Sequence, residues 1–406
     1  MDVRALDAAD ELAVFRDRFL PIEDPGVVAY LDGNSLGRPP RATLDRLGHL
    51  VTQEWGTRMI RSWEERWLDM PGQVGDLLGG TALGAAPGQV IVADSTTVCL
   101  HKVLNAAVAL RPGRTELVTD TDNFPTDRYV VQVIAEQLGL TVRWIESDPA
   151  GGVSPQQVAE VVGDATAVVT LSHVAYRSAF IADMAAINNI AHAAGAVTVW
   201  DLCHSVGSIP VRLDATGTDF AVGCTYKFLN AGPGAPAFLY AREEHHDDLR
   251  NPLTGWFGTD DIFEMGPVHR PAKGIRRMLS GTPSVVGLAA VEEGVKLLAE
   301  AGIDRVRAKS TALTRLTIDL ADEWLPEFAV ASPRADEIRG GHVTITHPQG
   351  QDLARLLIEN GVLIDFRRPD GIRIGLSPLS TSFTELHAAM TRIRELTAAF
   401  RPQATE

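Results

Sequence analysis

Residues 200–234 read WDLCHSVGSIPVRLDATGTDFAVGCTYKFLNAGPG, and this stretch decides how the rest of the chain is interpreted. Asp201 closes one apolar run, and Lys227 lies in a second run that ends in glycine and proline. A lysine between Tyr226 and Phe228, in a segment as apolar as AVGCTYKFL, indicates a chemical role for its amine. Burial disfavours the ammonium form and leaves the amine free to form a Schiff base with an aldehyde. For such a pair alone, an exposed strand-end lysine and a turn aspartate are the plainer alternative.

The pairing of Asp201 with Lys227 suits one cofactor in particular. An aspartate at the carboxyl end of a strand can keep the pyridine nitrogen of pyridoxal 5'-phosphate (PLP) protonated, while a lysine forms the Schiff base. His204 follows Asp201 closely enough to share a site with it, although a helix-start histidine without a ligand would look the same. We therefore expect a PLP site around these residues.

The composition is that of an ordinary globular protein, with 45% apolar and 22% charged residues in 406. The net charge of −15 argues against nucleic acid or an anionic membrane surface as partner. The cysteines Cys99, Cys203 and Cys224 have no CxxC spacing, so we expect neither a disulfide framework nor a zinc site, and a reducing compartment. The sequence shows no signal-peptide core and no apolar run of membrane length. These features predict a cytoplasmic protein without a bound metal.

From residue 89 onward, short valine-rich runs alternate with helical patterns. The runs are QVIVAD, ELVTD, TVRWIE, AVVTLSHV, AVTVWD and FAVGCTY, and the helical patterns include residues 126–138, 154–162 and 182–194. This alternation predicts an α/β fold with a largely parallel sheet covered on both faces. Ligands of such sheets bind at the carboxyl ends of the strands. Asp94, Asp120, Ser172 and Asp201 fall at those ends.

The pattern changes after Gly255 to two long amphipathic helices, then to strands and shorter helices. The last helix begins with a capping box, Ser382 with Glu385. We expect a smaller α+β domain here, completed by the N-terminal segment. The expected domains are residues 50–285 for the large cofactor-binding domain, and residues 1–49 with 286–406 for the small one.

The N-terminal segment is expected to begin with a helix that runs to about Phe19. A short strand at Val28–Leu31 should follow and open into a Gly/Asn/Ser turn that is stopped by two prolines. A further helix is expected from about Arg41 to Trp55.

Three features near the predicted strand ends suit a phosphorylated, planar ligand. The strand–STT–helix junction, whose helix opens at Ser95, Thr96 or Thr97, offers hydroxyls and free N–H groups to a phosphate, but most such junctions are ordinary N-caps. Phe124, in a polar turn after ELVTD, either stacks on a planar cofactor or covers a loop. Asp127 is equally well interpreted as a helix-start residue.

Two charged features remain outside that group. Arg373 lies inside the strand pattern GIRIGLSPL, and a buried guanidinium needs an anion. A substrate carboxylate and an internal salt bridge are equally good partners. The EEHHDD run at 243–248 looks metal-like, but we interpret it as a solvated helix face. No HExxH, Walker A, GxSxG or GxGxxG motif occurs in a suitable context, so metalloprotease, P-loop, hydrolase-elbow and dinucleotide functions are set aside.

The sequence resembles the kynureninase family in its bacterial form, a family of fold-type-I PLP enzymes. The resemblance covers nearly the whole chain, and its motifs occur in the family's order. The motifs that carry the resemblance are LDGNSLGRPP, IRSW, ADSTTVCLHK, FPTD, LSHVAYRSA, WDLCHSVGSIPV, GCTYKFLNAGPG, LTGWFG, SGTPS and IRIGLSPL. The combination of GCTYK, WDLxHS and LDGNSLG is specific to this family. It separates kynureninases from the related desulfurases and aminotransferases.

The resemblance implies a fold-type-I architecture with a mostly parallel seven-stranded sheet, and a homodimer with active sites at the subunit interface. It implies that Lys227 binds PLP, that Asp201 pairs with the pyridinium nitrogen and that Arg373 binds the substrate's α-carboxylate. The other implied cofactor contacts are Thr96, Thr97, Phe124, Pro125, Thr126, Asp127, Ser172, His204 and Tyr226, with Trp256 and Thr282 from the other subunit. The other implied substrate contacts are Asn34 and Ser35 beside the carboxylate, and Trp63, Gly281 and Thr282 around the aryl group.

The implied reaction is hydrolysis of the Cβ–Cγ bond of L-kynurenine to anthranilate and L-alanine, in tryptophan and kynurenine catabolism. 3-Hydroxy-L-kynurenine, which would give 3-hydroxyanthranilate, stays open as a substrate, and Tyr226 is expected to relay a proton. One alternative is another fold-type-I enzyme such as a desulfurase, but that needs a late nucleophilic cysteine, and none follows Cys224. A non-catalytic binding protein is the other alternative, but it would have no use for Lys227, Asp201 and Arg373 together.

Overall fold

The computed structural model describes residues 2–400. Its strands are β1 (Ala29–Tyr30), β2 (Val90–Val92), β3 (Glu116–Asp120), β4 (Thr141–Ile145), β5 (Thr166–Ser172), β6 (Val197–Asp201), β7 (Phe220–Gly223), β8 (Phe238–Ala241), β9 (Ala329–Val330), β10 (His342–Thr346), β11 (Val362–Leu363), β12 (Asp365–Arg367) and β13 (Gly371–Gly375). Its α-helices are α1 (Val3–Ala8), α2 (Arg41–His49), α3 (Met70–Leu78), α4 (Thr96–Ala109), α5 (Pro125–Leu138), α6 (Pro155–Val161), α7 (Met184–Ala193), α8 (Leu213–Thr216), α9 (Val285–Ala301), α10 (Ile303–Trp324), α11 (Gly350–Glu359) and α12 (Phe383–Ala399).

The main sheet has seven strands in the order β2-β8-β7-β6-β5-β3-β4. Only β8 runs antiparallel to its neighbours, so the prediction of a mostly parallel seven-stranded sheet is confirmed. The sequence patterns did not single out β8, because its four apolar residues follow a loop rich in glycine and proline.

Side chains from this sheet enter two hydrophobic cores, one on each face. Phe238 and Tyr240 belong to one core, whereas Leu239 and Ala241 belong to the other, as the alternation of side chains along a strand requires. Helices α4 and α5 cover the second face, while α3, α7 and α9 cover the first. The sheet is therefore buried on both faces, and only the strand ends are left to bind a polar ligand.

A second region is built on the four-stranded antiparallel sheet β12-β13-β10-β9. Helices α10, α11 and α12 pack on it around a separate core. Part of the N-terminal segment joins this region, because β1 pairs with β11 and Ala29 and Leu31 lie in its core. Leu12, Phe15 and Phe19 lie instead in the core of the main sheet. Helix α9 instead contributes Leu288 and Val291 to the core of the main sheet. Domain boundaries at residues 50 and 285 stay a prediction.

The N-terminal helix is shorter than expected. It ends at Ala8, and a separate 3-10 turn covers Ala13–Arg18, so the prediction of one helix to Phe19 is wrong. Asp10 explains the break, since its carboxylate accepts the Leu12 N–H at 2.9 Å and lies 2.8 Å from the buried Lys309 amine.

Helix α2 begins as expected and continues past His49 as wider, π-helical turns over Leu50–Arg58. The capping box of Ser382 and Glu385 at the start of α12 is confirmed. Among residues 2–400, no helix combines the length and the apolar character that crossing a membrane requires.

Candidate active site

A pocket opens at the carboxyl ends of β5, β6 and β7. The residues that line it are Thr96, Thr97, Phe124, Thr126, Asp127, Ser172, Tyr176, Asp201, Cys203, His204, Tyr226 and Lys227. The structure thus brings together nearly the whole predicted cofactor shell of one subunit, including Asp201 and Lys227.

Lys227 lies in a turn beyond the end of β7 rather than within the strand. Its side chain is half-buried, and its Nζ atom lies 3.3 Å from His204 Nε2. The turn closes through the Asn230 N–H, which donates to the Lys227 carbonyl at 3.0 Å, with Asn230 in the left-handed conformation (φ 56°). The turn therefore aims the amine back over the end of the sheet.

The loop after β1 packs directly on this lysine turn. The Gly37 N–H donates to the Tyr226 carbonyl at 2.8 Å. A Cβ atom at Gly37 would lie 2.2 Å from the Lys227 carbonyl oxygen, so only glycine permits the approach. This contact places the LDGNSLG motif beside the pocket.

Two carboxyl groups enter the pocket together. Asp201 ends β6, and Asp127 lies in the first turn of α5; both are buried. Burial and the neighbouring Asp201 carboxylate raise the pKa of Asp127 well above its usual 3.8, against the opposing effect of Lys227. The pocket therefore holds more acid than the lysine neutralises. A cationic pyridinium would relieve that excess, so the residues fit PLP.

The phosphate end of the site is the start of α4. Ser95 caps the helix, since its hydroxyl accepts the Val98 N–H at 3.4 Å, and Thr96 and Thr97 occupy the first turn. The first N–H groups of a helix have no partner within it, and the helix dipole favours an anion there. His204 and Tyr226 line the same pocket, as the resemblance implies.

The aromatic wall is organised by a residue that the sequence motifs did not reveal. Asn123 is buried, and its side-chain oxygen accepts the Ser172 hydroxyl and the Phe124 N–H, each at 2.8 Å. Phe124 and Pro125 begin α5, and the Phe124 ring meets the Tyr176 ring edge to face at 5.4 Å between centroids. Asn123 thus fixes the positions of Phe124 and Ser172 toward the pocket.

Arg373 is buried, with 1% of its side chain exposed. Its Nη1 donates to the Tyr176 carbonyl at 2.7 Å, and its Nη2 donates to Ser35 Oγ at 3.0 Å and to the Asp365 carboxylate. Burial lowers the pKa of Arg373, although Asp365 opposes that shift. The internal salt bridge is therefore present. Binding of a substrate carboxylate by the same guanidinium stays a prediction.

Asn34 is buried beside Arg373's strand, where it packs against Gly375. Trp63 is partly buried and packs against the rings of Trp67 and Phe257. These positions neither confirm nor contradict the predicted substrate contacts.

Neither Trp256 nor any predicted substrate contact lines the Lys227 pocket; those contacts are Asn34, Ser35, Trp63, Gly281, Thr282 and Arg373. Trp256, Gly281 and Thr282 are exposed. Gly281 and Thr282 line a separate cavity with Asp94. Exposure agrees with the expectation that Trp256 and Thr282 act across a subunit interface, which stays a prediction.

Asp94 and Asp120 lie at strand ends as expected, but neither lines the pocket. The Asp94 carboxylate pairs with Nζ of the fully buried Lys102 at 2.6 Å, and that amine also donates to the Met278 carbonyl at 2.8 Å. Asp120 accepts the Ser147 hydroxyl at 3.1 Å, and burial raises its pKa to about 6.

The interpretation of EEHHDD as a solvated face is wrong for His245. This histidine is buried, and its Nε2 lies 2.8 Å from the Asp219 carboxylate. His192 Nε2 lies 2.7 Å from the other oxygen of the same carboxylate. The run is therefore fixed to the sheet by an internal anion, a distant partner that local charge patterning does not show. Asp219, Glu244 and His245 have donor types that a metal ion accepts, within 4.8 Å of one another.

The fold and the lysine-aspartate pocket define a class of PLP-dependent enzymes. Residues 73–367 match the Aminotransferase class-V family, to which the chain belongs. A solved cysteine desulfurase from Escherichia coli shares the fold, with a TM-score of 0.83 and 17% identity over 96% of this chain and 99% of that one.

The finer assignment comes from curated relatives. A kynureninase from Pseudomonas fluorescens is 41% identical over 404 residues, 97% of this chain and 94% of the relative. A kynureninase from Deinococcus radiodurans is 42% identical over 400 residues, 96% of this chain and 94% of the relative. The chain belongs to the kynureninase family.

Proposed function

We propose that the protein hydrolyses L-kynurenine to anthranilate and L-alanine with PLP as cofactor. The observation that carries the proposal is the placement of Lys227, Asp201 and Asp127 in one pocket at the strand ends, in a chain of the kynureninase family. The cleavage is a hydrolysis of the Cβ–Cγ bond, in which water provides the oxygen of the anthranilate carboxylate.

The chain offers a partner to each end of the cofactor. Lys227 would bind its aldehyde carbon, Asp201 its ring nitrogen, and the start of α4 with His204 its phosphate. When bound, PLP supplies an electron sink for the charge that develops on the amino-bearing carbon when its proton is removed. Phe124 and Ser172 would complete the shell.

Proton transfer falls to Lys227 and Tyr226. The freed Lys227 amine would remove the proton from the substrate's Cα. Burial raises the pKa of Tyr226, so its phenol keeps its proton at neutral pH and acts as a donor. Since Tyr226 is adjacent to Lys227 and lines the same pocket, it can return a proton to the alanine-forming carbon.

A desulfurase function is not favoured, although the fold is shared with desulfurases. Its chemistry needs a nucleophilic cysteine late in the chain, whereas no cysteine follows Cys224 in the sequence. Burial raises the pKa of Cys99 above the range in which a thiolate forms.

A cytoplasmic homodimer is part of the same proposal. The segment around residues 253–268 exposes large apolar side chains, and Met265 and Val268 are each 72% exposed. Exposed apolar surface of this kind is typical of a protein–protein interface. A second copy of the chain that covers it would also bring Trp256 and Thr282 toward a pocket that they do not reach within one chain.

The test is to purify the protein, record its visible absorbance, add L-kynurenine and follow anthranilate fluorescence. We expect a yellow protein that produces anthranilate. A yellow protein that produces no anthranilate but cleaves 3-hydroxy-L-kynurenine would change the assigned substrate and leave the assigned reaction type unchanged. A colourless protein that takes up no PLP would overturn the proposal.

A further inference from the structure

Asp365 and Arg373 lie directly opposite each other on the antiparallel strands β12 and β13. The Asp365 carboxylate accepts from Arg373 Nη2, and its same oxygen lies 2.8 Å from Nη2 of Arg367. Ser35 Oγ lies 3.4 Å from that oxygen. The Asp365 carboxylate thus contacts the buried Arg373, the more exposed Arg367 and Ser35 of the loop after β1.

These contacts fix the orientation of the Arg373 guanidinium. Nη1 is held by the Tyr176 carbonyl, and Nη2 is held by Ser35 and Asp365. The Arg373 Nε is buried and has no hydrogen-bond partner within residues 2–400. Because a buried donor without a partner is costly, the Nε–H and the second Nη1–H are the donors left for a ligand.

Two acids and two arginines surround this point. Arg373 and Arg367 provide two permanent cations. Burial raises the pKa of Asp32, and its Oδ1 is buried without a partner in the described chain. Of the two acids, Asp365 is the one with a hydrogen bond to the Arg373 guanidinium.

We propose that Asp365 is a positioning residue for substrate recognition. It anchors one end of the Arg373 guanidinium, so that the Nε–H and the second Nη1–H are presented to the substrate's α-carboxylate in a single orientation. The inference rests on the proposed function, since it assigns Asp365 to the carboxylate end of that same site. Asp365 acts through Arg373 and touches neither the reacting bond nor the cofactor.

Two substitutions separate the anchoring hydrogen bond from the charge. Asp365→Ala removes both, whereas Asp365→Asn keeps an oxygen that can accept from Nη2 but removes the charge. Asp352→Ala is the matched control, because Asp352 pairs with Arg355 at an exposed position, with more than half of each side chain accessible.

The experiment compares two ligands on the PLP-loaded protein. L-Kynurenine carries the α-carboxylate, and kynuramine is the same molecule without it. The KM and kcat for L-kynurenine are measured by anthranilate fluorescence. The dissociation constant of kynuramine is measured by titration of the visible absorbance, and the melting temperature checks folding.

We expect Asp365→Ala to raise the KM for L-kynurenine about 10- to 100-fold, with kcat changed less than about threefold. We expect Asp365→Asn to raise it about 3- to 10-fold, and the control to leave it unchanged. Kynuramine binding should change less than about threefold in every variant, because it offers no carboxylate to Arg373.

Equal weakening of L-kynurenine and kynuramine would overturn the inference, since Asp365 would then support the site as a whole. An unchanged KM in Asp365→Asn would also overturn it, and this readout suffices if the alanine variant does not fold. Failure of the wild-type protein to produce anthranilate would instead overturn the proposed function, so the two failures are distinct.

Discussion

Lys227 Nζ lies 3.3 Å from His204 Nε2, and that imidazole is fully buried among cations. Burial, with Lys227 and Arg373 nearby, holds the pKa of His204 well below its usual 6.5. The ring is therefore neutral at neutral pH and can accept a hydrogen bond from the lysine. His204 orients the amine without adding a positive charge to the site.

Replacing that lysine should abolish both cofactor attachment and turnover. Lys227→Ala has no amine to bind the PLP aldehyde or to remove the Cα proton, so anthranilate production should fall by roughly 10³-fold or more. Visible absorbance should be lost after extensive dialysis. Lys273→Ala, at an exposed position, is the control and should keep both. Substantial turnover by Lys227→Ala would show that the lysine has been misassigned.

Asp127 should make the PLP-free protein less stable as the pH rises. Its pKa is raised in the folded state, so folding favours the protonated carboxyl. That contribution is complete below pH 3.8 and is lost as the pH rises through the folded pKa. Asp127→Asn lacks this loss. Its melting temperature, relative to wild type, should therefore increase with pH between 4.5 and 8, by roughly 1–3 °C.

The control for this measurement is Asp352→Asn, whose carboxylate is exposed on α11. Its melting-temperature difference from wild type should show no comparable trend with pH. A difference for Asp127→Asn that is constant across the range would mean that the two carboxyl groups do not interact as the structure indicates.

Lys102 should contribute more to stability than an exposed lysine does. Its amine is fully buried and is held by Asp94 and the Met278 carbonyl. Lys102→Met removes both interactions and should lower the free energy of unfolding by about 1–3 kcal/mol, measured by urea denaturation. Lys296→Met removes the ion pairs of an exposed lysine with Glu292 and Glu293, and should cost less than about 1 kcal/mol. Equal losses would contradict the assignment.

His192 should stabilise the protein below neutral pH. Its hydrogen bond to Asp219 raises the pKa of the imidazole above 6.5. The resulting stability is complete below pH 6.5 and is lost as the pH rises through the folded pKa. His192→Gln should therefore cost most near pH 5.5 and least near pH 8.5, by less than about 1 kcal/mol because the ring is one-third exposed.

The measurement for His192 is the unfolding free energy at several pH values, with the exposed His269→Gln as control. The control should show a flat difference from wild type. A cost for His192→Gln that grows toward alkaline pH would have the wrong sign for this ion pair.

Local sequence signals predicted the parts of the site that local structure builds. Asp201 follows a valine-rich strand, and Thr96 and Thr97 begin a helix after another, so the known geometry of parallel sheets brings them together. Lys227 is recognisable from the sequence because burial of a cation in an apolar run is unfavourable and so indicates a chemical role. The overall α/β class followed from the same alternation.

Distant contacts were beyond such reasoning. Arg373 meets Ser35 across 338 positions of the chain, and Asn123 meets Ser172 across 49 positions. The EEHHDD run was misinterpreted for the same reason, because Asp219, its partner, comes from the start of another strand. The sequence shows which residues are chemically unusual, whereas the fold determines what each one meets.

The Lys227 turn and the strand with Arg373 lie far apart along the chain, and this affects the order in which the site is synthesised. The chain leaves the ribosome in order, so Lys227 emerges 146 residues before Arg373 (373 − 227). At the usual 5–20 residues per second, that interval lasts roughly 7–30 s. During this time the growing chain has its lysine and the loop that rests on it, but not the strand that completes the site. An aldehyde that reaches the nascent chain in this interval can therefore contact the Lys227 amine. The strand with Arg373, which is proposed to select the substrate, has not yet been synthesised at that point.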